Sequence, residues 1–462
     1  VAQSCAGDWR RQLAPAPPFH AIDVRNCFEL QRSVVYSWKN GDAMLFLRRL
    51  PAPSAECSQR NICESKSMKP SLARQIVAAL FCRLLLNTGR RFVYPFAPAL
   101  SRELGVPLAA ITSIIAAGQL TSLLGLFSGP LADRFGYRVM MRSGLAMLAI
   151  GMLLCGLVSD YWLVFVGLVI ASFGKTIFDP SIQAFIGHNV PFERRGRVIG
   201  IVETAWAGST LIGIPAIGLI IAEVGLSGAF YLLALLGALG WLTISRVIPA
   251  DGQTAGAGDN RVHIFAALPQ LFKVRPAAGM LAFGFWISIA NDSLFVVYGA
   301  WFEQDFRVSI ATLGFSTVAI GAAELCGESL TAVFADRLGL KRAMVLGLGL
   351  AMAAYLLLPF TGSSLSLAMA GMFLVFLAFE FTIVTSFSLS TELMAESRAT
   401  MMAGFYATSG VGRMIGVLVG GWLWQLGGIR AVAWSAAALT GIGLLSIWWG
   451  LHDWKRKTGR VQ

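Results

Sequence analysis

Twelve apolar runs, each close to the length a helix needs to cross a bilayer, limit what this chain can fold into more than any other feature. They lie at roughly 76–97, 109–131, 138–158, 161–187, 198–222 and 229–249, then at 277–302, 311–334, 342–361, 365–391, 401–426 and 431–451. A hydrocarbon core about 30 Å thick takes about 20 helical residues, and every backbone N–H and C=O within it must be satisfied by the chain itself. Such runs are therefore expected as helices. A composition of 56% hydrophobic and only 13% charged residues excludes an ordinary water-soluble domain. The expected fold class is an all-α membrane protein with twelve transmembrane helices in two pseudo-symmetric six-helix bundles.

The second bundle is expected because the chain repeats itself. Between the second and third runs sits a charged turn, Gly129-Pro-Leu-Ala-Asp-Arg-Phe-Gly-Tyr-Arg138, and Ala335-Asp-Arg-Leu-Gly-Leu-Lys-Arg342 echoes it, with Asp336 lying 203 residues after Asp133. Leu104-Gly-Val-Pro107 matches Phe306-Arg-Val-Ser309 at an offset of 202, and Glu193 and Arg195 match Glu396 and Arg398 at 203. One polar, Gly-rich stretch, 250–262, falls between the sixth and seventh runs. The expected organisation is an irregular N-terminal extension over 1–67, a six-helix half over 68–249, a linker over 250–275 and a second half over 276–462 with a basic tail. Met68-Lys-Pro-Ser resembles a natural start, so the upstream piece is expected not to be native. Internal repeats of this size are how transporters build alternating access.

The pattern G-x-L-A-D-R-F-G-x-R/K between the second and third spans resembles the signature loop of the major facilitator superfamily, and the resemblance covers the chain beyond about residue 67. It implies a transporter that rocks two halves around a midplane site. It also implies a gate motif of Gly129, Asp133, Arg134, Gly136 and Arg138, with Asp336, Arg337, Gly339 and Lys341 as its second copy, in which the aspartate locks neighbouring helices on the cytoplasmic side. The run Gly208, Gly213, Pro215 and Gly218 in the fifth span is similar to a motif of drug antiporters in this superfamily, but Ile214 separates glycine from proline. The basic residue that those antiporters carry early in the fourth span is absent, since Val164, Phe165, Val166 and Gly167 stand there.

The net charge of +12 belongs to this topology and not to a nucleic-acid partner. Fourteen basic residues fall in loops on the motif side, from Arg134 to Arg398, against Arg102, Arg307 and Arg430 on the other. By the positive-inside rule both termini are cytoplasmic, in the inner (plasma) membrane. The seven cysteines contain no C-x-x-C pair, and with only four histidines they give little support to a zinc site or a disulfide framework; no metal and no cofactor are expected.

A charge at mid-bilayer costs roughly 2.5–3.5 kcal/mol on insertion scales, so each one kept there needs a partner, a wet cavity or a task. In the first span Arg83, Asn87, Arg90 and Tyr94 share one helical stripe that can line a cavity; the alternatives are that Arg83 snorkels to the interface and that Arg91 faces a neighbouring helix. Asn291 and Asp292 interrupt the seventh span, and Asp292 is the repeat counterpart of Arg90. The two are expected to face the cavity and to approach each other in one state. Lys175 and Asp179, four apart in the fourth span, are read as an ion pair or a substrate contact, with Pro180 bending the helix beside them. Glu203 stands alone in the fifth span. Glu324 and Glu328 share one face of the eighth, where one carboxylate can serve as a proton carrier, and Glu380 and Arg413 are a possible interhelical pair. Tyr298 and Tyr406 are candidates for substrate stacking. The candidates for proton coupling are Asp292, Glu324, Glu203 and Glu380.

With no G-x-x-x-x-G-K-S/T loop, no H-E-x-x-H and no G-x-S-x-G, neither ATP hydrolysis nor a membrane-embedded enzyme is indicated, and no appended signalling domain suggests a sensor. The expected function is secondary transport of a small organic molecule, with proton-coupled efflux first and proton-coupled uptake of an organic anion as the alternative. Its expected partners are the substrate, protons and the lipid bilayer, and the chain is expected to work as a monomer.

Overall fold

A computed structural model describes residues 38–39, 42–43, 70–125, 135–249, 271–394, 398–452 and 454. The chain divides into two compact units, Val1–Ser67 and Met68–Gln462. In the first, the two-residue strands Trp38–Lys39 and Asp42–Ala43 pair antiparallel. All that follows concerns the second. Met68, Gly129, Asp133, Arg134, Glu396, the stretch 250–270 and the tail from 455 lie outside the described residues, as do the side chains of Glu193 and Asp336.

Among the described residues nine helices are long and apolar enough to cross a membrane, ten when the bent pair Ala97–Glu103 and Leu108–Leu124 counts as one span. Two helices bring the total to the twelve expected. Pro70–Arg91 carries Arg74, Arg83, Arg90 and Arg91, too many charges to read as a span by composition. Arg398–Gly450 is two spans, because Gly427 (φ −160°, ψ 23°) and Gly428 (φ 58°, ψ −149°) leave helical geometry between 398–426 and 429–450. Large apolar side chains such as Phe360 and Trp162, 74% and 69% exposed, cover the outside, as suits a lipid-facing surface.

The duplication is written into the backbone. Positive φ angles occur at Gly105 and Arg307, at Gly136 and Gly339, and at Gly225 and Gly428, each pair 202 or 203 residues apart. Gly136 (φ 84°, ψ 147°) and Gly339 (φ 82°, ψ 131°) open the third and ninth spans in nearly the same conformation. A side chain there would be strained, which is why both motif copies keep a glycine. Arg138 donates to the Ser245 carbonyl at the end of the sixth span, and Lys341 donates to the Leu451 carbonyl at 2.6 Å at the end of the twelfth. Each motif copy thus places a cation on the terminal carbonyls of the last helix in its half, where the helix dipole favours it.

The first and seventh spans are both interrupted. Pro70–Arg91 gives way to turns before Ala97–Glu103, and Arg275–Phe295 breaks at Val296 and Val297 before Tyr298–Phe306. The fifth span contains a π-turn at Ser209–Gly213. Away from the motif end the halves close on one another: Gly299 packs on the Pro95 carbonyl, Gly314 on Gly218, Gly421 on Thr112, and Arg102 bonds Glu303 at 2.6 Å. Lipid supplies little hydrophobic drive between helices, so this seam depends on backbones coming close enough for dispersion contacts, which small residues allow.

Candidate functional site

The sequence stripe Arg83, Asn87, Arg90 and Tyr94 does not act as one surface, because each member meets a different neighbour. Arg83 is 6% exposed. Its Nε donates to Asp179 at 3.2 Å, Nη1 to the Val202 carbonyl at 3.0 Å and Nη2 to Glu203 at 2.8 Å. It therefore does not snorkel, and Glu203 does not stand alone. Lys175 bonds the other oxygen of Asp179, making a four-residue charge cluster from the first, fourth and fifth spans. Two cations and two carboxylates neutralise one another there.

About two turns further from the motif end, Arg91 crosses to the other half. Its Nη2 lies 2.5 Å from Glu324 Oε1, both side chains being buried, and Nη1 donates to the Trp206 carbonyl and Ser209 Oγ at 3.0 and 3.2 Å. Trp206 Nε1 and Thr210 Oγ1 donate to the same carboxylate at 3.0 and 2.6 Å, and the guanidinium lies 4.0 Å over the Trp206 ring. The π-turn in the fifth span begins at Ser209, so the hydroxyls that meet this pair come from the part of the helix that departs from α geometry. Glu324 is thus fully engaged. Arg91, Trp206 and Thr210 were not singled out as site residues from the sequence; an arginine directly beside Arg90 in an otherwise apolar helix was the available signal.

Arg90 and Asp292 are both at the seam, but they do not pair. Arg90 Nη2 donates to Gln119 Oε1 at 2.6 Å and to Ser122 Oγ at 3.0 Å; Gln119 Nε2 donates to the Tyr94 hydroxyl at 2.5 Å; Tyr94 donates to Asp292 Oδ1 at 2.9 Å. A relay of two neutral groups separates the two charges. The ion partner of Asp292 is Arg413, whose Nε lies 4.0 Å from Oδ2, so Arg413 is tied to the seventh span and not to Glu380. Gln119, a buried amide in an apolar span, is the member of this relay that the sequence reading passed over.

The remaining candidates divide between wall and opening. Tyr298 is fully buried and stacks at 5.7 Å on Phe295, which stacks at 4.6 Å on Tyr94, so it is part of an aromatic wall and offers no free face. Tyr406 is 48% exposed and shares the electrostatic surroundings of Glu203, Arg83 and Asp179 from the other half. Glu203 is 40% exposed at its side chain. Both lie toward the motif-side ends of their spans. Among the described residues, buried Asn87 has neither amide atom bonded and Asn291 Oδ1 is likewise without a partner, so unspent hydrogen-bonding capacity lies within the bundle. Of the gate motif, Gly136, Arg138, Gly339 and Lys341 sit at the helix ends described above, and Arg337 is exposed. Among the described residues no cluster of three or more His, Cys, Asp or Glu side chains is arranged to hold a metal ion.

Two repeats of six helices, closed at one end around a buried polar interior, define a membrane transporter and not an enzyme. The chain belongs to the Major Facilitator Superfamily, whose sequence profile matches residues 79–290 and 281–460. It is 23% identical over 342 residues, 74% of this chain and 87% of the other, to the uncharacterized MFS-type transporter YceJ of Bacillus subtilis (strain 168). Over 90 residues, 20% of this chain and 22% of the other, it is 32% identical to the multidrug resistance protein MdtH of Shigella flexneri. Its fold is similar, with a TM-score of 0.67 at 14% identity, to the crystal structure of a bacterial homolog of the human lysosomal transporter Spinster in an inward-facing and unoccupied conformation, covering 84% of this chain and 100% of that one.

Proposed function

We propose that this transporter exports a small organic compound in exchange for protons, by alternating access of residues 68–249 against 276–462 across the linker 250–275. The observation that carries the reading is Asp292. Its carboxylate belongs to the second half, is 2% exposed, and is held by Tyr94 of the first half and by Arg413. A carboxylate contact tied into both halves must break as they rock, which lets proton movement in the interior be linked to the rocking. The likeness of a fifth of the chain to a multidrug resistance protein supports the outward direction. The basic loops support cytoplasmic termini in the inner membrane, with the motif end facing the cytoplasm. The exposure of Glu203 and Tyr406, together with the similarity to an inward-facing structure, supports a cavity open to that side. Its wall would comprise Asn87, Arg90, Tyr94, Asn291, Asp292 and Tyr406, in a monomer.

One observation favours a second reading, uptake of an organic anion. Among the described residues Arg413 makes no hydrogen bond, and its side chain is 26% exposed. Arg90 spends its bonds on neutral oxygens. Two guanidinium groups near one carboxylate suit an anionic ligand.

The test is proton movement in inverted vesicles, followed with a pH-sensitive dye while lipophilic cations and organic anions are added in separate panels. Export coupled to protons is supported when a compound releases lumenal protons and Asp292→Asn abolishes the release. If no compound moves protons while labelled anions cross and depend on Arg413, the uptake reading replaces it.

A further inference from the structure

Most charges buried in the spans are accounted for by the clusters above, and one is not. Glu380, in the tenth span Leu365–Leu393, is 6% exposed and has no hydrogen bond or ion pair among the described residues. Its backbone is pressed against the eighth span: a Cβ added at Gly327 would lie 2.8 Å from the Glu380 Cβ, and Thr331 Oγ1 donates to the Phe381 carbonyl at 3.1 Å. This contact sets Glu380 beside Glu324, three residues before Gly327, and Glu328, one residue after it.

Among the described residues the surrounding charges offer it no counter-ion. Arg91 and Arg413 are the cations that act on it, but Arg91 is bound to Glu324 and Arg413 stands beside Asp292. The ninth span contributes Gly347, packed on Phe381 and Thr382, and so adds no charge. Glu324 already accepts from Arg91, Trp206 and Thr210. Glu328 is half-buried and acts electrostatically on Glu203 and Arg83 from the facing half, so it borders the same opening as they do. Among the described residues no donor or cation occupies the Glu380 carboxyl group, so its oxygens are available to exchange a proton with a neighbour.

We propose that Glu380 is the carrier of the coupling proton and that Glu328 passes it between Glu380 and the cavity. In the loading step an O–H bond on Glu328 breaks as one forms on a Glu380 oxygen, leaving Glu328 as the carboxylate and Glu380 neutral; a hydronium ion in the cavity then gives its proton to Glu328 and becomes water. Glu324 is left out of this exchange because its oxygens already accept from Arg91, Trp206 and Thr210. The inference rests on the proton-coupled reading and names the site of coupling within it.

The deciding experiment uses the wild-type protein in proteoliposomes treated with dicyclohexylcarbodiimide, which modifies protonated carboxyl groups within membranes, with adducts located by peptide mass spectrometry. An adduct at Glu380 that diminishes as pH rises and persists in 100 mM sodium is the expected result. No adduct at Glu380, or its suppression by sodium, overturns the site whatever transport assays show. In inverted vesicles challenged with ethidium, tetraphenylphosphonium and taurocholate, Glu380→Gln is expected to lower proton release at least tenfold while preserving probe-for-probe exchange. Glu328→Gln is expected to slow release without abolishing the Glu380 adduct. Wild-type proton release retained in Glu380→Gln overturns the site but leaves proton-coupled export standing. Absence of proton release from the wild type with every probe overturns the coupling reading.

Discussion

Arg91 and Glu324 belong to opposite halves of the protein and meet in a 2.5 Å ion pair, with 4% and 2% of their side chains exposed. Removing one partner of such a pair leaves a charge with neither water nor counter-ion, which typically costs about 3–5 kcal/mol, whereas replacing both with apolar residues is often neutral. Arg91→Met and Glu324→Leu are each expected to lower the thermal unfolding midpoint in detergent. The double variant should recover most of the loss. If the two single effects simply add, the pair is not coupled as the geometry requires.

Tyr94 is the only side chain in direct hydrogen-bond contact with both Gln119 and Asp292 among the described residues. Tyr94→Phe deletes the hydroxyl and leaves the ring stacked on Phe295. A hydrogen bond to a charged group is worth about 1.5–3 kcal/mol, so a stability loss of that order is expected, again read by thermal unfolding. Gln119→Leu should give a smaller loss, since Asp292 keeps its donor.

Charge exchange separates the two cations near Asp292. Arg413 is its ion partner, and Arg90 is separated from it by the relay. Asp292→Arg combined with Arg413→Asp is therefore expected to recover part of the transport lost in either single variant. The combination of Asp292→Arg with Arg90→Asp should recover none. Equal rescue by both would mean that Arg90 replaces Arg413 in another state.

Closure away from the motif end depends on Gly299, where a side chain would collide with the Pro95 carbonyl. Gly299→Val is expected to disfavour this closed seam and shift the protein toward the opposite conformation. The readout is a cysteine introduced at Tyr406, which is open to the interior here. Its labelling by a membrane-impermeant maleimide from the motif side should fall several-fold.

The helices, their approximate boundaries and the duplication were legible in the sequence because they depend on local or periodic properties. An apolar run near 20 residues long has one low-energy form in lipid. A glycine forced to positive φ leaves the same mark at 136 and 339 in both repeats. Lys175 and Asp179 were legible for the same reason, since their spacing alone puts them on one helical face.

The choice of partners across helices was not legible. Hydropathy places Arg83, Arg90 and Arg91 at membrane depth but carries no information on which neighbour each one meets, because helix rotation and the breaks at 92–96 and 296–297 are set by packing. Repeat symmetry made Arg90 and Asp292 look like partners. Packing instead inserted Gln119 and Tyr94 between them, brought Arg413 to Asp292, joined Arg91 to Glu324 and left Glu380 unmatched. The sequence by itself determined that this chain is a duplicated bundle of spanning helices with charges buried inside it. Only the tertiary structure decided which charges cancel, because electrostatic pairing is fixed by distances of a few ångströms between elements far apart in the chain.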